Sequence, residues 1–438
     1  MPPRRKSMKN PERHIPHVSP VWPHLLETII VKGEGPYVWD KSGRCYLDFT
    51  SGIGVTNTGH CHPRIVEAVQ EQAGRLLHLQ ANTAYHEPML RLVAALREVV
   101  PPELDTYFFA NSGAEAVETA LKLARAATGR TNILAFQRSF HGRTVATMSL
   151  TASKAIYRKG YQPLMPGVFF APYAYCYRCP KAEANPEKYG FEKDCDWALE
   201  QVDFLLKSQT APEETAAILV EPILGEGGYV IPPARFIRGL REICNTHDIL
   251  FILDEIQSGF GRTGHFFALE HFGIIPDILI MAKGMASGLP MSSVVSRKET
   301  MHRWKPGTHG GTYGGNALSC AAGESTIRVL KEEKLVENAA HLGKLLLDRL
   351  ISLKRTYDCI GDVRGLGLMV GVEFVTPGGR TPDREKAKTI QKRCLDESLI
   401  LLTCGTDDNV VRWIPPLIID EAQLKEALDI FAQALETD

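Results

Sequence analysis

From about residue 105 the chain alternates short apolar runs with amphipathic stretches. Thr106-Tyr-Phe-Phe-Ala110, Asn132–Phe136, Ala216–Val220, Ile249–Leu253 and Asp277–Met281 read as strands. Residues 113–127 and 234–247 have helical spacing between them. Nearly continuous apolar strands separated by helices predict a mostly parallel sheet covered on both faces. Upstream, Gly35–Asp40 and Cys45–Phe49 alternate around Lys41-Ser-Gly43 and predict a hairpin. Residues 63–78, opening on Pro63, and 88–99 predict helices. Long helices are expected at 317–332 and 335–354. The end then reads strand (363–375), helix (385–397), strand (410–414), helix (421–436), a second and smaller α/β unit. No internal repeat is present.

A length of 438 residues suits two or three units at about 150 residues each. Lys and Arg number 50 against 51 Asp and Glu, a net charge of −1. Without a global field, nucleic acid and anionic membranes lose their cheapest electrostatic support. No run of 18 apolar residues offers a membrane span. The basic start, MPPRRKSMKNPERH, has no apolar stretch behind it and reads as a polar tail, with a transit peptide as the alternative. The ten cysteines are mostly scattered singly in apolar contexts, which fits a reducing, cytoplasmic location. Cys176 and Cys179 form one Cys-x-x-Cys pair, with Cys195 further on, in what reads as a surface insertion. A zinc ribbon needs two such pairs, so no metal is assigned. Thiols bracing a loop, a local disulfide and a metal site all remain readings of this segment.

Three constellations carry chemistry. Asn111-Ser-Gly-Ala-Glu115 lies between a strand and a helix. Ser112 and Glu115 have the spacing of a capping box, which is sufficient reason for the pattern. Gly113 also allows close backbone approach, and the first-turn amides would suit an anion. Asp254 closes an apolar strand, and a carboxylate there needs a cationic partner or a helix to cap. Lys283 ends another apolar strand, beside Gly284. It reads either as a snorkelling lysine or as an amine that desolvation makes nucleophilic. Ligands gather at the carboxyl ends of parallel strands. An anion cradle, a carboxylate and an imine-forming lysine at one such edge are the parts that hold pyridoxal phosphate. Gly259-Phe-Gly261-Arg-Thr-Gly264 matches G-x-G-x-x-G, but five residues separate it from its strand, too many for a dinucleotide-binding turn.

The chain closely resembles the class III, or ω-amino acid, aminotransferases of the fold-type I pyridoxal phosphate enzymes. The resemblance rests on Asn-Thr-Gly-His (57–60), Asn-Ser-Gly-Ala-Glu-Ala (111–116) and Phe-His-Gly-Arg-Thr (140–144). It continues through Glu-Pro-Ile-Leu-Gly-Glu-Gly-Gly (221–228), Asp-Glu-Ile-Gln-Ser-Gly-Phe-Gly-Arg-Thr-Gly (254–264), Ala-Lys-Gly (282–284), Gly-Thr-Tyr-Gly-Gly-Asn (311–316) and Arg412-Trp-Ile-Pro-Pro. It implies an N-terminal segment (1–62) shared with a small α/β domain (333–438), around a large cofactor-binding domain (63–332).

By that resemblance Lys283 would form the Schiff base with pyridoxal 5'-phosphate and shuttle a proton, and Asp254 would pair with the pyridine nitrogen. Gln257 would bond the ring oxygen. Phe140 and Ile256 would cover the two ring faces, and Ser112, Gly113 and Ala114 would hold the phosphate. His141 receives no chemical step. Thr312 would reach the phosphate of a second subunit, implying a homodimer or a dimer of dimers. Arg143 would bind the distal carboxylate of a 4-aminobutyrate-type donor, unless it serves a surface ion pair. Arg412 would bind the α-carboxylate of glutamate or 2-oxoglutarate, and Glu226 would mask it, unless the two form a static salt bridge. Ile53 stands where ornithine-type members carry a tyrosine, which favours 4-aminobutyrate. The implied activity is transfer of an ω-amino group to 2-oxoglutarate. Amino-acid racemisation or epimerisation by the same family is the alternative.

Overall fold

The computed structural model describes residues 17–184 and 196–436, so the basic N-terminal stretch and Cys195 lie outside the described residues. Its centre is a seven-stranded sheet. In spatial order the strands are Thr106–Ala110, Ser292–Ser296, Ile278–Met281, Leu250–Asp254, Thr215–Val220, Asn132–Phe136 and Val168–Ala171. All run parallel except Ser292–Ser296, which is antiparallel to both neighbours. Alternate residues feed two cores. Ile133 and Ala135 join the helix Gly113–Thr128 on one face, while Leu134 and Phe136 join the larger core on the other. Burial on both faces explains why these strands read as unbroken apolar runs.

The expected strands at 106–110, 132–136, 216–220, 249–253 and 277–281 are present within one residue. Val168–Ala171 and Ser292–Ser296 escaped the periodicity. The second is serine-rich yet fully buried, and an apolar criterion passes over it. Helix 113–128 is closed at both ends by sequence. Ser112 and Glu115 complete a capping box, and Gly129 ends the helix in the left-handed region at φ 71°.

The strand expected over 363–375 is instead a hairpin. Ile360–Leu366 and Met369–Phe374 pair antiparallel, because Gly367 at φ +54° turns the chain between them. With Val410–Trp413 and Leu402–Cys404 they form a four-stranded antiparallel sheet. A third sheet joins the two ends of the chain. Ile30–Glu34, Tyr37–Asp40 and Cys45–Asp48 are extended by Leu399–Ile400. The segment around Cys176 and Cys179 is not a plain surface insertion where it is described. Tyr173, Tyr175 and Cys179 are buried, and Tyr175 and Arg178 bond Glu373 of the antiparallel sheet. No helix among the described residues is long and apolar enough to cross a membrane.

The G-x-G-x-x-G stretch serves packing. Arg262 at its centre is fully buried, and burial lowers its pKa to about 10. Its guanidinium donates to the carbonyls of Leu368 and Pro415 and to Asn57 Oδ1, which ties the turn after the central strand to both chain ends. Arg262→Ala leaves three buried acceptors without a donor, each costing about 1–3 kcal/mol. The expected loss is therefore about 3 kcal/mol or more. It is measured as a lowered urea midpoint, and an unchanged midpoint contradicts the anchor role.

Candidate active site

The carboxyl ends of the parallel strands open onto a cavity of about 490 Å³. Ser112, Gly113, Ala114, Phe140, Arg143, Glu226, Asp254, Ile256, Gln257 and Lys283 all line it. Ten of the thirteen residues singled out from sequence thus meet in one place. The other three do not line it. Arg412 is buried on Val410–Trp413 and reaches the cavity through an ion pair with Glu226. Ile53 lies in the distorted turn Ser51–Gly54 at φ 69°, costly for a β-branched residue, and is 37% exposed. Thr312 is exposed and outside this chain's cavity.

At one end of the cavity the strand Thr106–Ala110 turns into the helix Gly113–Thr128. Glu115 accepts the backbone N–H groups of Asn111 and Ser112 at 2.8 and 2.9 Å. The next amides, of Gly113 and Ala114, have no intrahelical acceptor. A Cβ on Gly113 would lie 2.9 Å from Ile256 Cδ1, so a larger residue there would require the Ile256 side chain to shift.

Across the floor, Asp254 is buried and pairs with His141, Nδ1 to Oδ2 at 2.7 Å. Asp254 Oδ1 also accepts the Ile256 N–H at 3.1 Å. Glu221 accepts the amides of Phe140 and Gly225, both at 2.8 Å, and burial raises its pKa to about 7. His141 and Glu221 are the residues that the sequence reading left without a role. Their partners are far apart in sequence, and only the flanking motifs hinted at them.

Lys283 adopts φ 46°, a sparsely populated backbone region for a residue with a side chain. Burial lowers its pKa, opposed by Glu226 and assisted by Arg412. Burial alone would raise the pKa of Glu226, yet Arg412 and then Lys283 hold it below the ordinary carboxylate value. Arg143 is exposed at the mouth, 4.6 Å from the Tyr157 ring, with no ion pair among the described residues. The surface ion pair considered from sequence is therefore not made there.

An anion cradle, a buried carboxylate and a lysine at one edge of a parallel sheet define a pyridoxal phosphate-type transferase. The family described as aminotransferase class-III matches residues 18–435, and the chain belongs to it. It is 40% identical over 410 residues to a probable 4-aminobutyrate aminotransferase of Bacillus subtilis, with 93% of each chain covered. It is 42% identical to an acetylornithine aminotransferase of Methanopyrus kandleri, covering 93% of this chain and 94% of that one. A solved transaminase from the marine bacterium Virgibacillus superposes with a TM-score of 0.86 at 29% identity, covering 94% of this chain and 93% of that one.

The class uses pyridoxal phosphate, and the cavity fits it. Both side-chain amide atoms of Gln257 are buried without a partner, as is His141 Nε2. Buried polar atoms of this kind call for a ligand. The lowered Lys283 pKa gives a direct expectation. Cofactor attachment to the apo-protein should rise with pH through a midpoint below the ordinary lysine value of 10.5, because burial disfavours the ammonium. Absorbance titration checks this, and a midpoint at or above 10.5 contradicts it.

Proposed function

We propose that this aminotransferase moves the terminal amino group of an ω-amino acid, 4-aminobutyrate above others, to 2-oxoglutarate. The observation that carries the reading is the Glu226–Arg412 pair beside Lys283, with Arg143 unpaired at the mouth. An ω-amino donor offers one carboxylate, far from its amine, and Arg143 can take it in a guanidinium fork. Arg412 then stays neutralised by Glu226. 2-Oxoglutarate brings a second carboxylate next to its keto group, and Arg412 binds it once Glu226 turns away. One site thus accepts two differently charged substrates in turn. A racemase would not need the exchange.

In this reading Lys283 holds the cofactor and takes the proton from the amine-bearing carbon of the donor. Asp254, bonded to His141, would pair with the ring nitrogen of the bound cofactor, and Gln257 would bond its ring oxygen. Phe140 and Ile256 would cover the ring faces, and Ser112, Gly113 and Ala114 would hold the phosphate. When bound, pyridoxal phosphate supplies the electron sink for the carbanion.

Thr312, exposed beside the exposed Tyr313, supports a homodimer in which this loop completes the partner's phosphate site, singly or as a dimer of dimers. Ile53, exposed on its turn outside the cavity, offers no polar group where ornithine-type members carry a tyrosine. Among the described residues, those from 63 to 332 would form the cofactor-binding unit, and 17–62 with 333–436 the smaller one. The pairing of Cys45–Asp48 with Leu399–Ile400 supports that division. A reducing, cytoplasmic location suits Cys244, Cys320, Cys394 and Cys404, which sit in cores as small apolar residues.

The test is glutamate formation from 4-aminobutyrate and 2-oxoglutarate by pure, cofactor-loaded protein. No glutamate from 4-aminobutyrate, 5-aminovalerate or β-alanine overturns the reading. Arg143→Ala should raise KM for 4-aminobutyrate roughly tenfold to hundredfold, for one charge-assisted bond of about 1.5–3 kcal/mol. An unchanged KM removes Arg143 from the donor site.

A further inference from the structure

The segment that carries Glu226 is a closed turn. Leu224 and Val230 pair across its base, and the Gly225 carbonyl accepts the amides of Gly228 and Tyr229 at 3.1 and 3.3 Å. Two glycines are obligatory. A Cβ on Gly227 would lie 2.4 Å from the Arg138 carbonyl oxygen, and Gly228 sits at φ +117°. The backbone is then held from outside at three points. Glu221 accepts the Gly225 amide, the Gly405 amide donates to the Glu226 carbonyl at 2.9 Å, and Arg364 donates to the Gly228 carbonyl through both Nε, at 3.0 Å, and Nη2.

The turn rests on one row of the antiparallel sheet. Arg364 is paired with Gly371, and Gly371 is paired with Arg412. Directly opposed residues of neighbouring strands project to the same face. The two arginines therefore flank a glycine, and the turn sits in the space it leaves. A Cβ on Gly371 would lie 3.2 Å from Tyr229 Cβ and 3.4 Å from the Gly228 carbonyl oxygen. Arg412 meets the side chain of the turn and Arg364 meets its backbone. Arg364 is itself locked: Nη1 donates to Asp362 at 2.8 Å and to Glu373 at 2.7 Å, and Glu373 is held by Tyr175 and Arg178.

We propose that Arg364 is a positioning residue for the reaction: by pinning the Gly228 carbonyl it fixes the turn, so that Glu226 leaves and regains Arg412 by side-chain rotation alone. A pinned backbone returns the Glu226 carboxylate to one place each cycle. Loosening it weakens the pairing that masks Arg412 while an ω-amino donor is bound. Glutamate, which uses Arg412 unmasked, is little affected. The inference rests on the ω-aminotransferase reading above.

The experiment compares Arg364→Lys with wild type in the two half-reactions, using 4-aminobutyrate and L-glutamate as donors. Lysine keeps the charge beside Glu373 and loses the fork. KM for 4-aminobutyrate should rise about tenfold and that for glutamate stay within about twofold. Gly371→Ala, which adds a methyl under the turn and removes no charge, should shift the same ratio. Arg178→Lys, in the same charge cluster without touching the turn, should leave it alone. Hydrogen exchange at the Gly405 amide is read on the same proteins and should accelerate in Arg364→Lys. Equal changes for both donors, or the same shift in Arg178→Lys, reduce Arg364 to a structural role and overturn the proposal. If wild type transfers nothing from 4-aminobutyrate, the substrate reading falls. The exchange result still decides the pin, since unchanged exchange at Gly405 refutes it.

Discussion

The site depends on one constraint: strands buried on both faces can place charged groups only at or past their last ladder position. Asn111 follows Ala110, Glu221 follows Val220, and Lys283 comes two residues after Met281. Asp254 closes its strand. Because the strands run parallel, these positions share one edge. Each carboxylate gathered there needs a partner, since an unpaired buried charge costs several kcal/mol or shifts its pKa until it is neutral. Asp254 has His141 and Glu226 has Arg412. Glu221 has only two backbone amides, and accordingly its pKa rises to about 7.

What could be read from the sequence follows from that constraint. A strand and the turn after it are local, so Asn111–Ala114, Asp254–Gln257 and Lys283 could be placed on strand ends without coordinates. The parallel architecture followed from the same runs. Contacts made across the fold could not be read in this way. His141 and Asp254 are 113 residues apart, and nothing in either motif announces the bond. Ser292–Ser296 is invisible to an apolar criterion because its serines are buried in the sheet. The hairpin over 360–374 turns on one left-handed glycine inside a continuous apolar pattern. The positions of Ile53 and Thr312 depend on loop conformation, and for Thr312 on a second chain.

Two kinds of sheet divide the labour. Asp254, Gln257 and Lys283 stand at or just past strand ends of the central sheet, at one edge. Arg412 stands on the antiparallel sheet, and Glu226 lies on the turn between the two. Their meeting requires the two sheets to keep a fixed separation. Arg262 supplies one tie, from the turn after the central strand to Leu368 and Pro415. Arg364 supplies another, from the antiparallel sheet to Gly228. Both ties end on backbone carbonyls, which side-chain substitution elsewhere does not remove.

This separation bears on how substrate choice can change within the family. The relatives at 40% and 42% identity carry different donor names, although each covers nearly the whole chain. The residues proposed to hold the cofactor sit at strand ends whose neighbours are fully buried, and a change there disturbs the core. Ile53, Arg143 and the loop that bears Thr312 are exposed and lie outside the buried strands. They can vary at small cost to stability, since surface substitutions are worth about half a kcal/mol. The Glu226–Arg412 pair lies between these extremes: buried, but on the substrate side. In the proposed function it would handle the acceptor's second carboxylate, which stays the same whichever amine is donated. On the proposed assignment, a fold arranged in this way would keep cofactor and acceptor constant and leave the donor to the rim.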